Sequence, residues 1–154
     1  MTQMAHSEGL YFEEMDKGLE MASPGRTVTE TDIVLFAGLS GDYNQLHTNA
    51  EYARGTRFGQ RIAHGLLGLS MASGLASRLG FIESTAIAFI GLEWKFKAAI
   101  LIGDTITMTA RVVRKREMRR LGGGIVVFGV TLKNQRGETV QEGEWTMLVK
   151  SRPE

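Results

Sequence analysis

Three residues whose side chains can move or hold protons lie close together in one polar, turn-rich stretch of the chain. The stretch reads SGDYNQLHTN and contains Asp42, Asn44 and His47. A carboxylate beside an imidazole can serve as general acid and general base, because the unperturbed pKa of histidine, about 6.5, permits either role near neutral pH. His64-Gly65 then opens an apolar segment, and free backbone amides at a helix N-terminus stabilise negative charge that develops on an oxygen. The sequence therefore predicts an acid–base pair followed by an oxyanion site.

Each of these residues also fits an ordinary structural role. Asp42 follows Gly41, where an aspartate commonly forms an Asx-turn or ends a helix, and a loop histidine such as His47 commonly makes only a hydrogen bond. We expect His64 to cap the following helix or to pack under the loop, with no part for its ring in the chemistry. His6, His47 and His64 lack the spacing of metal ligands and the chain has no cysteine, so no metal is predicted.

A helix and a structured loop are predicted to hold the acid–base pair. Thr29 and the acidic residue three positions later form a capping box, which predicts a helix over residues 30–39 that ends at Gly41. Apolar anchors recur through residues 42–62, which is typical of a functional loop and not of a linker, and a short helix is predicted over residues 50–54.

A second helix is predicted to supply the oxyanion site. The segment 64–79 is apolar on nearly every side, which predicts a buried helix that ends at Gly80. Gly65, Gly68 and Gly74 each cost about 1 kcal/mol of helix stability relative to Ala. We therefore expect a sheet to approach the backbone of this helix closely.

The chain after residue 84 is typical of β-strands. Ile106, Met108, Ala110 and Val112 alternate with polar residues and should share one face of a strand. Turn-forming residues connect the strands without intervening helices, so an antiparallel sheet is predicted. The four predicted strands span residues 85–96, 104–113, 125–133 and 139–149.

The predicted fold is therefore α+β, with a long, curved antiparallel sheet wrapped around one apolar helix. Upstream of it, Leu10–Phe12 predicts an edge strand and residues 22–27 predict a turn. An open sheet leaves an edge strand and apolar surface exposed, which predicts a homodimer or a higher homo-oligomer.

Length and composition predict one domain over residues 1–154, with residues 1–9 as a flexible tail. The chain is 43% hydrophobic and 23% charged, which suits a buried core. A net charge of +1 gives no reason to expect nucleic acid as a partner, and the lack of cysteine excludes disulfides and thiol nucleophiles. No signal peptide or membrane span is visible, so a cytoplasmic protein is expected.

These motifs together resemble the MaoC-like dehydratase family, the (R)-specific enoyl-CoA hydratases with a hot-dog fold. The resemblance covers about residues 28–149. It rests on DYNQLH from Asp42, the approach from Phe58 to Ile62, Ala63-His64-Gly65, and Gly103-Asp104 at the start of a strand. The family pattern is D-x-N-P-[LI]-H, and this chain has Gln45 in place of the proline. That difference loosens the backbone restraint of the turn and keeps the spacing of acid and base.

The resemblance implies a lyase of fatty-acid metabolism that adds water to trans-2-enoyl thioesters to give (R)-3-hydroxyacyl thioesters, or runs the reverse. Asp42 and His47 would be the catalytic pair, and the Gly65 N–H would hold the thioester oxygen. Asn44 would hold the loop or the water, and Ser73 matches a family position that lines the site. No cofactor is implied, because the substrate itself carries CoA or the phosphopantetheine of an acyl-carrier protein. In hot-dog proteins the site lies at a protomer interface.

Basic residues near the loop are candidates for binding the phosphates of such a carrier. Arg57 and Arg61, with Arg54 beside them, flank the loop. The run RKREMRR over residues 114–120 is a further candidate, predicted at a hairpin where charges commonly only solvate a turn. The residues predicted to contact the substrate are Asn44, Ser73, His64, Arg57 and Arg61.

Two other functions fit the same scaffold. Hot-dog thioesterases generally use a carboxylate on or near the central helix, and the segment 64–79 contains no Asp or Glu. A non-catalytic module that binds acyl thioesters would leave the acid–base pair unexplained.

Overall fold

A six-stranded antiparallel sheet is the largest element of the computed structural model, which describes residues 9–154. The strands are β1 (Glu20–Ala22), β2 (Arg26–Thr27), β3 (Ala86–Phe96), β4 (Thr105–Met118), β5 (Gly123–Lys133) and β6 (Thr139–Lys150). The helices are α1 (Glu30–Ser40), α2 (Gln45–Thr48), α3 (Ala50–Arg54) and α4 (Gly65–Leu79). Short 3₁₀ helices span Phe12–Glu14 and Arg119–Leu121.

The strand order places β3 at one edge of the sheet. The order is β1-β4-β5-β6-β3, and β2 pairs with β4 next to β1. In β4, the side chains of Ile106, Met108, Ala110 and Val112 are all buried, which confirms the predicted alternation. The inward face of the sheet and the long helix therefore form one core.

Helix α4 lies against β4 and contributes Leu67, Met71 and Leu75 to that core. Two of its glycines let the sheet approach, as predicted. A Cβ on Gly65 would lie 2.8 Å from the Phe96 ring, and one on Gly68 would lie 2.3 Å from the Gln141 amide. The close approach does not extend to Gly74, because no atom lies within 4 Å of a Cβ built there.

The predicted burial of α4 on nearly every side is wrong for one of its faces. Leu66 is 60% exposed, and the small residues that follow it at helical spacing are also exposed: Ser70, Ser73, Gly74 and Ser77. Among the helices of residues 9–154, none has the length and apolar character needed to cross a bilayer.

Helix α1 begins and ends at the predicted signals. The Thr29 side chain accepts a hydrogen bond from the Asp32 N–H, and the Asp32 carboxylate accepts one from the Thr29 N–H, which completes a capping box. Gly41 ends the helix with a positive φ of 76°. The predicted short helix over residues 50–54 is α3, but α2 just before it was not predicted.

Three other expectations are wrong in detail. Leu10–Phe12 is not a strand, since a 3₁₀ helix begins at Phe12, and the predicted turn over residues 22–27 holds the end of β1 and all of β2. Strand β4 continues to Met118, so much of the basic run lies within a strand, with only its end at the hairpin.

The tail predicted for residues 1–9 lies outside the described residues except for Gly9, whose N–H donates to the Glu83 carbonyl.

Candidate active site

A chain of short side-chain turns shapes the loop that carries the acid. The Asp42 carboxylate accepts a hydrogen bond from the Asn44 N–H at 3.1 Å, which is the predicted Asx-turn. The Asn44 side chain in turn caps α2 by accepting from the Leu46 N–H at 3.0 Å. The structural and functional interpretations of Asp42 therefore coexist, because the turn uses one carboxylate oxygen and leaves the side chain exposed.

The imidazole of His47 has a fixed tautomer. Its Nδ1 lies 2.8 Å from the carbonyl oxygen of Ile62. A carbonyl only accepts hydrogen bonds, so Nδ1 carries the proton, and in the neutral ring Nε2 presents a lone pair. The half-buried His47 is thereby oriented as a base at its Nε2 atom.

His64 occupies the N-cap position of α4 and packs under the loop, both as expected, but its side chain makes no capping hydrogen bond. Its ring is 2% exposed, and Nε2–H donates to the Asp42 main-chain carbonyl at 2.9 Å. Its Nδ1 is buried and has no hydrogen-bond partner among residues 9–154. The ring stacks on His47 at 3.9 Å between centroids and also contacts Phe36 at 4.8 Å. His64 therefore holds the main chain of Asp42 and one face of the His47 ring.

The fold brings Asp42, His47 and His64 together. One carboxylate oxygen of Asp42 and one ring nitrogen of each histidine lie within 4.8 Å of one another. Sequence spacing did not anticipate that the two histidines would meet. Imidazole lone pairs lie in the ring planes, and the two stacked rings are only 29° from parallel, so they do not converge on one ion. The cluster suits proton transfer better than metal binding, and the lack of a metal stays a prediction.

The start of α4 offers an amide to the same place. The carbonyl of His64 accepts from the N–H groups of Leu67 and Gly68, whereas the Gly65 N–H has no acceptor within residues 9–154. The segment before the helix is fixed to the sheet side by the Ala63 N–H, which donates to the Ile100 carbonyl at 2.8 Å. The helix start is therefore a fixed donor, and Gly65 lines the same cavity as His47.

A cavity of about 250 Å³ opens beside these groups. It is walled mostly by apolar side chains and backbone, with two exposed cations at its border. Residues 96–100 form one wall of this cavity and were not predicted from the sequence as part of a site. They lie at and after the end of a strand, and no local motif there indicates a function. The lining residues are His47, Arg57, Phe58, Ile62, Ala63, Gly65, Phe96, Lys97, Ala98, Ala99 and Ile100.

The predicted substrate-contacting arginines differ in their surroundings. Arg57 borders the cavity, with its guanidinium 4.9 Å from the centre of the Phe58 ring. Arg61 instead forms a 2.6 Å ion pair with Glu30 of α1, and Arg54 pairs with Glu51. Of the three, Arg57 is the one that lines the cavity.

The remaining predicted residues do not line the cavity. Ser73 is on the exposed face of α4, and its hydroxyl donates to the Ser70 carbonyl at 2.7 Å. In the basic run, Arg114 pairs with Glu144 on β6 at 2.6 Å, and Lys115 lies 3.8 Å from Asp16. The roles of Ser73, Asn44 and His64 toward a substrate stay predictions.

Comparison with known proteins shows the family to which this chain belongs. A MaoC like domain matches residues 14–134. The (R)-specific enoyl-CoA hydratase of Rhodospirillum rubrum is 39% identical over 143 residues, which are 92% of this chain and 93% of that protein.

Solved structures agree on the fold. The monoamine oxidase regulatory protein of Archaeoglobus fulgidus superposes with a TM-score of 0.89 at 37% identity, over 97% of this chain and 100% of that one. A Mycobacterium tuberculosis protein with a double hot-dog fold superposes with a TM-score of 0.82 at 17% identity, over 95% of this chain and 46% of that one. The predicted hot-dog fold is confirmed, and the chain belongs to the family of MaoC-like dehydratases.

Proposed function

We propose that this protein catalyses the reversible hydration of trans-2-enoyl thioesters to (R)-3-hydroxyacyl thioesters. One observation carries the proposal: the Asp42 carboxylate and the His47 ring meet within 4.8 Å, and His47 lines the same cavity as Gly65, whose N–H has no acceptor among residues 9–154. Family membership and the 39% identity to an enoyl-CoA hydratase support the reaction class.

The acid–base pair would hold one water and handle its proton. Asp42 as a carboxylate and His47 Nε2 are both hydrogen-bond acceptors, and a water has two hydrogens to donate. As the water oxygen attacks the β-carbon, one of the two groups takes a proton from it. The same pair then delivers a proton to the α-carbon on the same face, so that one water is added in total.

The helix start would stabilise the charge that builds up during attack. Electrons from the double bond move toward the thioester oxygen, which becomes enolate-like. The Gly65 N–H would donate to that oxygen, and the positive end of the α4 dipole would add to the stabilisation. In the reverse direction the same donor would stabilise the enolate formed when the α-proton is removed.

The cavity beside the pair supports an acyl thioester as the substrate. Its walls are mostly apolar, which suits an acyl or pantetheine chain, and Arg57 and Lys97 stand at its border. Exposed cations there would meet the phosphates of CoA or of an acyl-carrier prosthetic group.

A second copy of the chain would complete the site. Strand β3 is an 11-residue edge strand without buried residues, and it exposes apolar side chains on both faces. The exposed large side chains are Ile87, Phe89, Ile90, Leu92 and Phe96, each 44–54% exposed. Such an edge is a template for strand pairing, and Phe96 also lines the cavity, so pairing there would enclose the substrate.

The reaction is tested by following loss of the enoyl absorbance of crotonyl-CoA with the wild-type chain and with His47→Ala. We expect turnover by the wild type, a 3-hydroxybutyryl product of R configuration, and a loss of about 10²–10⁴-fold in kcat for the variant. Wild-type activity in His47→Ala would contradict the assignment. Release of free thiol without hydration would instead indicate a thioesterase.

The oligomer is tested by light scattering on wild type and on Ile90→Lys. We expect a dimer for the wild type and a monomer with reduced activity for the variant, because a lysine on β3 opposes edge pairing. A monomeric wild type with full activity would contradict the shared site.

A further inference from the structure

One buried polar side chain joins the sheet to the first turn of α4. Gln141 lies in β6, between two other strands of the sheet, and is only 2% exposed. Its Nε2 donates to the Gly65 carbonyl at 3.0 Å, and its Oε1 accepts from the Trp94 indole N–H at 2.9 Å. A buried glutamine in an apolar strand is costly unless its amide is satisfied, and here both ends are bonded.

The orientation of the amide follows from its partners. An indole N–H can only donate and a carbonyl can only accept. The Gln141 oxygen must therefore face Trp94, and its NH₂ group must face Gly65. Trp94 is on β3 and Gly65 begins α4, so one side chain fixes the distance and direction between the edge strand and the helix start.

The helix is built to admit this side chain. A Cβ on Gly68 would lie 2.3 Å from Gln141 Nε2 and 2.8 Å from its Cδ. Any larger residue at position 68 would displace the amide from the Gly65 carbonyl. Gly68, one turn into α4, thus leaves space for the Gln141 side chain, and Gly65 leaves space for the Phe96 ring.

We propose that Gln141 is a positioning residue that aims the oxyanion-binding start of α4. It holds the carbonyl of Gly65, the residue whose own N–H is unpartnered, and so restrains the backbone on the C-terminal side of that donor. The inference rests on the proposed role of the Gly65 N–H. A donor that is misdirected by even a small angle loses stabilisation of the transition state more than binding of the ground state.

The decisive variant is Gln141→Glu, which keeps the size of the side chain and makes its hydrogen bond titratable. A protonated carboxyl can donate to the Gly65 carbonyl and accept from Trp94, but a carboxylate has no hydrogen to donate and repels the carbonyl oxygen. We expect kcat relative to wild type to fall about tenfold between about pH 6 and about pH 9.5, a window that covers raised pKa values of buried glutamates. KM should change less than about twofold, because the interaction acts in the transition state.

Two further variants separate positioning from folding. Thr107→Glu places a new carboxylate at an exposed position of β4, away from the site, and its kcat relative to wild type should not vary with pH. Gln141→Met removes both hydrogen bonds at nearly constant volume, and we expect about a tenfold lower kcat at every pH.

The outcomes are distinct. A kcat ratio for Gln141→Glu that stays constant across the range, or a loss confined to KM or to the melting temperature, overturns the positioning role. If the wild-type chain does not hydrate enoyl thioesters, the proposed function fails. If it does and the ratio is constant, only this inference fails.

Discussion

The dipeptide Gly-Asp occurs at two positions that the fold treats in opposite ways. Gly41 and Gly103 both adopt a positive φ, 76° and 91°, so the backbone enters each aspartate from the same kind of turn. Asp104 is 3% exposed, whereas Asp42 is exposed to solvent. The same local sequence thus supports one buried carboxylate and one that faces outward.

The hydrogen bonds around the two carboxylates explain the difference. Asp104 accepts from the Leu101 N–H at 3.0 Å, from Gln135 at 2.9 Å and from Arg136 at 3.2 Å. Burial alone would raise the pKa of the Asp104 carboxyl, but these donors outweigh it and hold the pKa below its usual value. Asp42 accepts only from the Asn44 N–H among residues 9–154, and its second oxygen is available to a water or a substrate. A carboxylate whose oxygens all accept hydrogen bonds from the protein stabilises the fold. A carboxylate with a free oxygen can take part in a reaction.

Replacing each aspartate by asparagine should separate these two roles, and the larger effect is expected at Asp42. In the proposed mechanism the Asp42 carboxylate is one of the two groups that hold the water and handle its proton, so we expect Asp42→Asn to lower kcat by about 10²–10⁴-fold. The amide oxygen can still accept from the Asn44 N–H, so the melting temperature should stay close to that of wild type. Hydratase assays and thermal melts on the same samples measure both. An Asp42→Asn variant with wild-type activity would show that the reaction does not need the Asp42 carboxylate.

Asp104→Asn should show the reverse pattern. The new NH₂ group would face donors from Gln135 and Arg136 and leave buried polar groups unpaired. We expect the free energy of unfolding to fall by about 2 kcal/mol, measured by urea titration. Activity per folded molecule should stay within about twofold of wild type. A stable variant with low kcat would mean that Asp104 belongs to the site.

The pH dependence of stability should distinguish the same pair. The folded-state pKa of Asp104 is below the unfolded value of about 3.9, so its contribution is fully present above that value. The contribution is lost as the pH falls through the folded pKa, because the protonated carboxyl no longer favours the folded state. We expect the stability gap between wild type and Asp104→Asn to be constant above about pH 5 and to narrow below about pH 4. Urea titrations at several pH values measure it, and a gap that widens in acid would contradict the sign.

Local patterns in the sequence predicted the parts of the molecule that short-range chemistry decides. The capping box at Thr29, the glycines that end α1 and α4, and the alternation in β4 all depend on residues a few positions apart, and each is found in the structure. The spacing of Asp42 and His47 within one loop made their approach predictable in the same way.

Long-range contacts were not predictable from these patterns. His64 meets Asp42 across 22 residues, and Gln141 meets Gly65 across 76. His64 and Gln141 are polar residues in apolar surroundings. Such a residue indicates a buried hydrogen-bond partner, but the sequence does not show which residue the partner is. Strand β1 was missed because its three residues carry no alternation, and it forms only because β4 is present to pair with it.

The smallest expected effect concerns Gln45, the one departure from the family pattern in the loop that carries Asp42 and His47. Gln45 is the first residue of α2, its N–H has no acceptor among residues 9–154, and the preceding Asn44 has an extended ψ of 135°. A proline fits the first helical position and requires an extended residue before it. Gln45→Pro should therefore stabilise the chain by up to about 1 kcal/mol, reduced by loss of the exposed Gln45–Asn49 hydrogen bond.

The activity of this variant tests whether the turn at Asp42 needs its present flexibility. Because the side chains of Asp42 and Asn44 already fix the turn, stiffening position 45 should leave kcat within about twofold of wild type. Thermal melts and hydratase assays on Gln45→Pro, with Gln45→Ala as a matched control that removes the same side-chain hydrogen bond, measure the two effects separately. A large loss of kcat in the proline variant alone would mean that the outward-facing aspartate, unlike Asp104, has to move during turnover.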